Sequence, residues 1–218
     1  MEPTKPVDLT DRAISNIIRR AQNNWNRWRD VFEHVGPIPT NPLLASHDRF
    51  AAFCAEYSVA RTIRSGTQDE FRRTLCDSTR FQGAIREGNA RELDAIEADL
   101  RPRFGTHDGA RRLISVLSKV AAFIKPERFV AWDRFAKSGA NVFLGRAKGT
   151  QFQTYAEYLA AFDLVWDGTP GKRIRDYAAS IGGQSTVQTH PRFLRRVLDL
   201  YLMDSGGFKS KSASSSAA

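Results

Sequence analysis

The type and position of Asp133 make it a candidate catalytic residue. It follows a short apolar connector ending in Trp132, and it precedes a segment with helical spacing, so it is predicted to be the N-cap of a helix. The positive end of a helix dipole favours the ionised form of such a carboxylate. An ionised carboxylate can stabilise positive charge that develops on a sugar, and it can orient or deprotonate a water molecule. An ordinary capping role for Asp133 and core packing of Trp132 also explain these two residues, so the catalytic and the structural interpretation both stay open.

Basic side chains lie beside aromatic ones at several points of the chain. One group, Lys172, Arg173 and Arg175, comes just before Tyr177. On an exposed helix face such side chains can contact phosphates, and aromatic rings can stack on an extruded base. The other interpretation is that the aromatic rings belong to the core and the cations are simply solvated.

The overall charge favours a polyanionic partner. Lys and Arg total 33 against 24 Asp and Glu, which gives a net charge of +9 and an isoelectric point near 9.9. Nucleic acid is therefore the first partner to consider. The sequence contains no phosphate-binding GxxxxGK[ST] loop, no HExxH and no zinc-deaminase signature, and its four histidines are widely spaced. It predicts no metal and no cofactor.

Helical periodicity runs through most of the chain. Apolar residues recur every three or four positions from Ile14 onward, and no convincing strand pair is present. Predicted helix boundaries include a cap at Thr10, a capping box from Thr67 to Glu70, a stop at Pro102 and another near Lys125-Pro126. The pattern predicts a compact all-α single domain of eight or nine helices over residues 10–206, with a tail at 1–9 and a disordered tail at 207–218. The predicted core includes Trp25, Phe53, Leu117, Ile124, Leu159, Phe162 and Leu198.

The cysteine count and the hydropathy pattern bear on the compartment. Cys54 and Cys76 are too few for a disulfide scaffold and are predicted to be small buried residues in a reducing environment. No signal-peptide pattern opens the chain, and no apolar run approaches the ~18 residues of a membrane span. These features predict an intracellular, cytoplasmic protein without membrane contact. We expect it to be a monomer.

Residues 104–135 resemble the catalytic core of the helix-hairpin-helix DNA glycosylases. The matching segments are the turn Phe104-Gly105-Thr106-His107-Asp108-Gly109, the helix that follows it, and the segment Phe129-Val130-Ala131-Trp132-Asp133. The resemblance implies a helix-hairpin-helix glycosylase-like fold, with Asp133 as the essential carboxylate. It implies that a damaged or modified base is flipped out of duplex DNA and excised, in repair or in defence against phage.

The resemblance also implies roles for residues around this core. Arg111 and Arg112 would hold the phosphates that flank the lesion, while Trp132 and Phe129 would stack on the flipped base or close its pocket. Bifunctional members of the family carry a Schiff-base lysine at the hairpin exit, where this chain has the two arginines, so a monofunctional reaction is expected. Lys119 is the alternative, as an amine nucleophile that would also break the strand.

Two other functions fit the sequence. Arg29 and His34 have the Rx4H spacing found in the helical ribonucleases called HEPN domains. A basic all-α protein can also bind DNA or RNA without catalysis.

Overall fold

The computed structural model describes residues 9–106, 112–147, 150–181 and 190–208 of the chain. These residues are all-helical and contain no strand, which confirms the predicted all-α class. Residues 104–106 are the described part of the hairpin-like turn, and residues 107–111 lie outside the description. The twelve α-helices of the described residues are α1 (Asp11–Arg27), α2 (Arg29–Phe32), α3 (Pro42–Ala45), α4 (His47–Glu56), α5 (Gln68–Asp77), α6 (Thr79–Glu87), α7 (Ala90–Phe104), α8 (Ile114–Ile124), α9 (Arg134–Phe143), α10 (Tyr155–Asp167), α11 (Thr169–Ser180) and α12 (Pro191–Ser205).

The predicted number of eight or nine helices is wrong for three local reasons. The first apolar stripe is not one helix, because the chain breaks at Trp28 between α1 and α2. The proline-rich connector holds the one-turn helix α3, whose N-cap Asn41 accepts a hydrogen bond from the Leu43 N–H at 3.0 Å. Ser78 separates α5 from α6, since its hydroxyl caps α6 at the Phe81 N–H.

The structure confirms two of the four predicted helix boundaries. The Thr10 hydroxyl accepts a hydrogen bond from the Ala13 N–H at 3.2 Å, and α8 ends at Ile124, so both of these boundaries are confirmed. The capping box at Thr67 is wrong, because that hydroxyl donates instead to the Arg64 carbonyl at 2.9 Å. Helix α7 continues through Pro102 for two further residues.

The chain divides into two units by its internal contacts. Unit 1 comprises Met1–Gln22, Asp133–Phe152 and Ala160–Ala218, and unit 2 comprises Asn23–Trp132 and Gln153–Leu159. The division falls inside the continuous helices α1 and α10. The assignment of residues 10–206 to a single domain stays a prediction. The predicted tails at 1–9 and 207–218 lie mostly outside the described residues.

Unit 2 is built around a cluster of aromatic rings. Trp28, Phe53 and Phe123 meet edge to face, with ring centroids 5.0 to 5.9 Å apart, and Phe32 stacks on Phe123 at 4.7 Å. Such pairs add favourable electrostatics to the burial of apolar area. This cluster ties α2 and α4 to α8.

Unit 1 is built on the packing of α9 against α12. A Cβ atom added to Gly139 would lie 2.0 Å from the Leu202 carbonyl oxygen, and one added to Gly206 would lie 1.9 Å from the Phe135 carbonyl oxygen. The two backbones therefore approach so closely that only glycine fits at these positions.

The predicted core is confirmed except at its edge. Ile124 is half-buried, because it is the last residue of α8 and lies where the helix leaves the interior. The six predicted core residues that are buried are Trp25, Phe53, Leu117, Leu159, Phe162 and Leu198.

No helix of the described residues combines the length and apolarity that crossing a membrane requires.

Candidate functional site

Asp133 is the N-cap of α9, as the sequence predicts. Its Oδ1 atom accepts hydrogen bonds from the Phe135 N–H at 2.8 Å and the Ala136 N–H at 3.3 Å. The side chain is half-buried, and within the described residues its Oδ2 atom accepts no hydrogen bond. One oxygen is thus fixed by the helix, and the other is left for a further donor.

The connector before Asp133 is held by two hydroxyl groups of unit 2. The Tyr155 hydroxyl accepts the Val130 N–H at 3.1 Å and donates to the Val130 carbonyl at 2.7 Å. The buried Ser118 hydroxyl accepts the Trp132 N–H at 2.9 Å. The backbone on either side of Ala131 is therefore fixed by side chains from α10 and α8.

The two candidate stacking rings lie in the core of unit 2. Phe129 is 1% exposed and stacks on Tyr155, with ring centroids 6.4 Å apart. Trp132 is 9% exposed and meets Tyr158 edge to face at 5.7 Å. Either ring has to leave these contacts before it can stack on a base.

Arg112 contacts other residues of unit 2, and Arg111 lies outside the described residues. The Arg112 guanidinium donates to the Gln153 carbonyl at 2.9 Å and lies 3.8 Å from a carboxylate oxygen of the buried Glu97. It also lies 5.7 Å from the centre of the Trp132 ring. About a third of the side chain stays exposed, at 36%.

Lys119 lies in α8, where its Nζ atom donates a hydrogen bond to the Tyr57 carbonyl at 3.5 Å. Like Arg112, Trp132 and Phe129, it belongs to unit 2.

The three cations of α11 belong to unit 1 and differ in their surroundings. Lys172 is exposed, and Arg173 forms an ion pair with Asp11. Arg175 donates to the Trp166 carbonyl at 2.7 Å, and its guanidinium lies 4.6 Å from the centre of the Trp166 ring.

Sequence reasoning missed the cations on α9 itself. Arg134 directly follows Asp133 and Lys137 lies four positions after it, and the sequence holds no Asp or Glu from residue 134 to residue 156. This run without carboxylates was the feature of the sequence that could have indicated a cationic surface on α9. Sequence reasoning also missed the contact between Asp94 and α10, in which the Asp94 carboxylate accepts the Tyr155 N–H at 2.8 Å. No short-range sequence pattern indicates such a contact.

Arg29 and His34 line one open pocket of about 510 Å³ in unit 2, together with Asn26, Asp30 and Glu33. Arg29 donates to the Asn26 amide oxygen at 3.1 Å and lies 3.7 Å from a Glu33 carboxylate oxygen. The His34 Nε2 atom lies 3.2 Å from the Pro37 carbonyl oxygen, which can only accept a hydrogen bond. When Nε2 carries the proton of the neutral ring, Nδ1 is the acceptor.

No cluster of three or more metal-ligating side chains occurs in the part of the chain that the structure describes.

No family model matches the sequence, and neither a curated protein nor a solved structure is significantly similar to it.

Proposed function

We propose that this protein is a monofunctional DNA N-glycosylase that uses the carboxylate of Asp133. The observation that carries the proposal is the state of this side chain. Oδ1 is held by two N–H groups in the first turn of α9, while Oδ2 accepts no hydrogen bond within the described residues. A helix N-terminus favours the charged carboxylate that the reaction needs.

The reaction is hydrolysis of the bond between a base and its deoxyribose. As this bond breaks, its electron pair leaves with the base, and the sugar gains oxocarbenium-like charge that the Asp133 carboxylate stabilises. The same carboxylate orients a water molecule, whose oxygen bonds to C1′ and keeps one proton as the new hydroxyl of the sugar, while its other proton passes to the departing base. The products are the free base and an abasic site.

The substrate is a base flipped out of duplex DNA. Arg111 and Arg112 are the proposed contacts to the flanking phosphates, assisted by Lys172, Arg173 and Arg175. Trp132 and Phe129 are the proposed stacking partners, and because both are buried, stacking requires them to exchange their core contacts for the base. A 2-aminopurine placed beside the target base should gain fluorescence on saturating binding, and no change would contradict the flip.

Base release is tested directly with end-labelled duplexes that each contain one damaged or modified base. After incubation and hot alkali, the wild type is expected to give a cleaved strand on at least one duplex. Asp133→Asn keeps a side chain that caps helices well, so folding and DNA binding should persist while excision falls by about 100-fold or more.

The control for stability is Ser78→Ala. It removes the N-cap of α6 in unit 2, at a cost of ~1 kcal/mol, and it leaves the carboxylate intact. Excision should stay at the wild-type rate in this variant. Wild-type excision by Asp133→Asn would reduce Asp133 to an ordinary cap, and a wild type that creates no alkali-labile site would overturn the proposal.

A second candidate function rests on the pocket that brings Arg29 and His34 together. We propose it as a ribonuclease site, in which the Nδ1 atom of His34 takes the proton of a ribose 2′-hydroxyl and Arg29 stabilises charge on the phosphate. The attacking 2′-oxygen would bond to phosphorus as the bond from phosphorus to the 5′-oxygen breaks, and the leaving 5′-oxygen would take a proton from water. Glu33 and Asp30 lie in the same pocket and oppose phosphate binding, which makes this the weaker candidate.

The two candidates give different products. A ribonuclease shortens labelled RNA without alkali and loses this activity in His34→Ala. His47→Ala is the matched control, since His47 is an exposed histidine that pairs with Asp69 and lies outside the pocket. RNA cleavage that is equal in both variants would contradict a role for His34, and binding without cleavage of either nucleic acid would indicate a non-enzymatic protein.

A further inference from the structure

The positive charge of the chain is concentrated in unit 1. By sequence, the segments of unit 1 carry 16 Lys and Arg against 9 Asp and Glu, a net charge of +7. Those of unit 2 carry 17 against 15, a net charge of +2. A polyanion is therefore attracted to unit 1 far more than to unit 2.

Within unit 1, α9 has one buried side and one cationic side. Ala136, Gly139 and Ala140 are buried on the side that packs against α12. Arg134 is exposed and Lys137 is half-buried, and because residues three apart are neighbours on a helix surface, the two cations lie together in the first turn of α9, next to Asp133. The exposed Ser138 adds a hydroxyl donor to the same side.

Arg134 differs from several other arginines of this unit in its partners. Arg20, Arg173 and Arg195 each form an ion pair with an aspartate. Arg134 forms no ion pair within the described residues, and its guanidinium lies 4.5 Å from the centre of the Phe135 ring, which orients the group without neutralising it. An uncompensated, oriented guanidinium is suited to bind a phosphate.

We propose that the exposed side of α9, formed by Arg134, Lys137 and Ser138, binds the phosphodiester backbone of duplex DNA. The choice of DNA as the polyanion rests on the proposed glycosylase function. The surface places phosphate contacts on the same helix that Asp133 caps, so that the backbone of the target strand is held next to the carboxylate. The opposite side of α9 is closed to any partner by α12.

The test measures binding of an undamaged, fluorescently labelled duplex by anisotropy over a series of salt concentrations. Each phosphate contact contributes about 0.9 to the slope of log K against log salt. Arg134→Ala and Lys137→Ala should each lower this slope by about that amount, and each should weaken binding about five- to tenfold at 0.1 M salt. Arg134→Gln and Lys137→Gln serve as second variants that remove the charge and keep a long side chain.

The matched control is Arg103→Ala, which removes an exposed cation of unit 2 that pairs with Glu70. Its slope should equal that of the wild type. The proposal is overturned if the wild type does not bind the duplex, if the α9 variants keep the wild-type slope, or if anionic phospholipid vesicles or RNA compete better than unlabelled duplex. Normal binding by α9 without base release from any duplex would remove the proposed glycosylase activity and leave the DNA surface standing.

Discussion

The hydroxyl of Tyr155 bonds to both backbone groups of Val130, accepting the N–H at 3.1 Å and donating to the carbonyl at 2.7 Å. All of these groups are buried. The backbone of Tyr155 is itself fixed, because the Asp94 carboxylate accepts its N–H at 2.8 Å and that of Ala156 at 3.0 Å. A single side chain of α10 thus provides the connector with pairing that a neighbouring strand would otherwise supply.

Tyr155→Phe should destabilise the protein. The substitution removes one oxygen, keeps the ring, and leaves two buried backbone groups of Val130 without this partner, which costs about 1–3 kcal/mol. Urea unfolding should show the loss, and amide hydrogen exchange at Val130 should accelerate. Tyr177→Phe is the control, because its hydroxyl makes no hydrogen bond within the described residues. Equal stability and unchanged exchange in Tyr155→Phe would show that the bond does not hold the connector.

Gly139→Ala should destabilise unit 1 more than a helix propensity scale predicts. Alanine normally stabilises a helix relative to glycine by up to about 1 kcal/mol, but here its Cβ would lie 2.0 Å from the Leu202 carbonyl oxygen. The two helices must separate, at a cost of about 1–3 kcal/mol or more. Thermal unfolding measures the difference.

Gly83→Ala supplies the opposite expectation in a matched helix. Gly83 lies in α6, and a Cβ atom there would have no neighbour within 4 Å. This variant should be as stable as the wild type or more stable. Equal effects of the two substitutions would show that α9 and α12 do not approach as closely as the structure has them.

The sequence predicted those features that depend on neighbouring residues. Thr10 and Asp133 were identified as caps because a cap bonds to N–H groups two or three positions away. Pro126 indicated the end of α8, because proline lacks an N–H and its ring clashes with the preceding turn of a helix. The sequence did not predict that α7 continues past Pro102, because a proline near the end of a helix removes a hydrogen bond without ending the helix.

The features that the sequence did not predict depend on distant residues. Asp94 caps a helix that begins 61 positions later, and Glu97 is buried beside Arg101 and Arg112. Asp94 does not stand out in its own helix, because its partners lie far along the chain. Glu97 has an (i, i+4) partner in Arg101, but this spacing does not indicate that the carboxylate is buried. Trp132 was assigned a stacking role by resemblance, whereas its burial against Tyr158 comes from packing that periodicity does not determine.

Thiol labelling should distinguish the two cysteines. Burial raises the pKa of Cys54 to about 12, and burial also raises the pKa of the half-buried Cys76. Because the thiolate is the reactive form, a thiol reagent at pH 8 should modify Cys76 slowly and should leave Cys54 intact until the protein unfolds. Mass spectrometry after brief labelling gives the sites. Rapid labelling of Cys54 in the native protein would contradict its burial.

The same thiol contributes to the pH dependence of stability. A raised pKa in the folded state means that folding favours the protonated Cys54, so its contribution is present below the unfolded pKa near 9.0 and is lost as the pH rises toward about 12. The free energy of unfolding should therefore fall over this range, and it should fall less steeply in Cys54→Ala. Parallel pH profiles of the two proteins would contradict the prediction.

Borohydride should trap no covalent adduct between the wild type and its DNA substrate. The Nζ atom of Lys119 donates a hydrogen bond to the Tyr57 carbonyl, so this group would have to leave its partner before it could attack the sugar C1′. The glycosylase should therefore leave intact abasic strands that break only in alkali. Lys119→Ala should release base at a rate close to that of the wild type, after correction for any loss of stability measured by thermal unfolding. An adduct that forms with the wild type and disappears in Lys119→Ala would make this lysine the nucleophile and overturn the monofunctional mechanism.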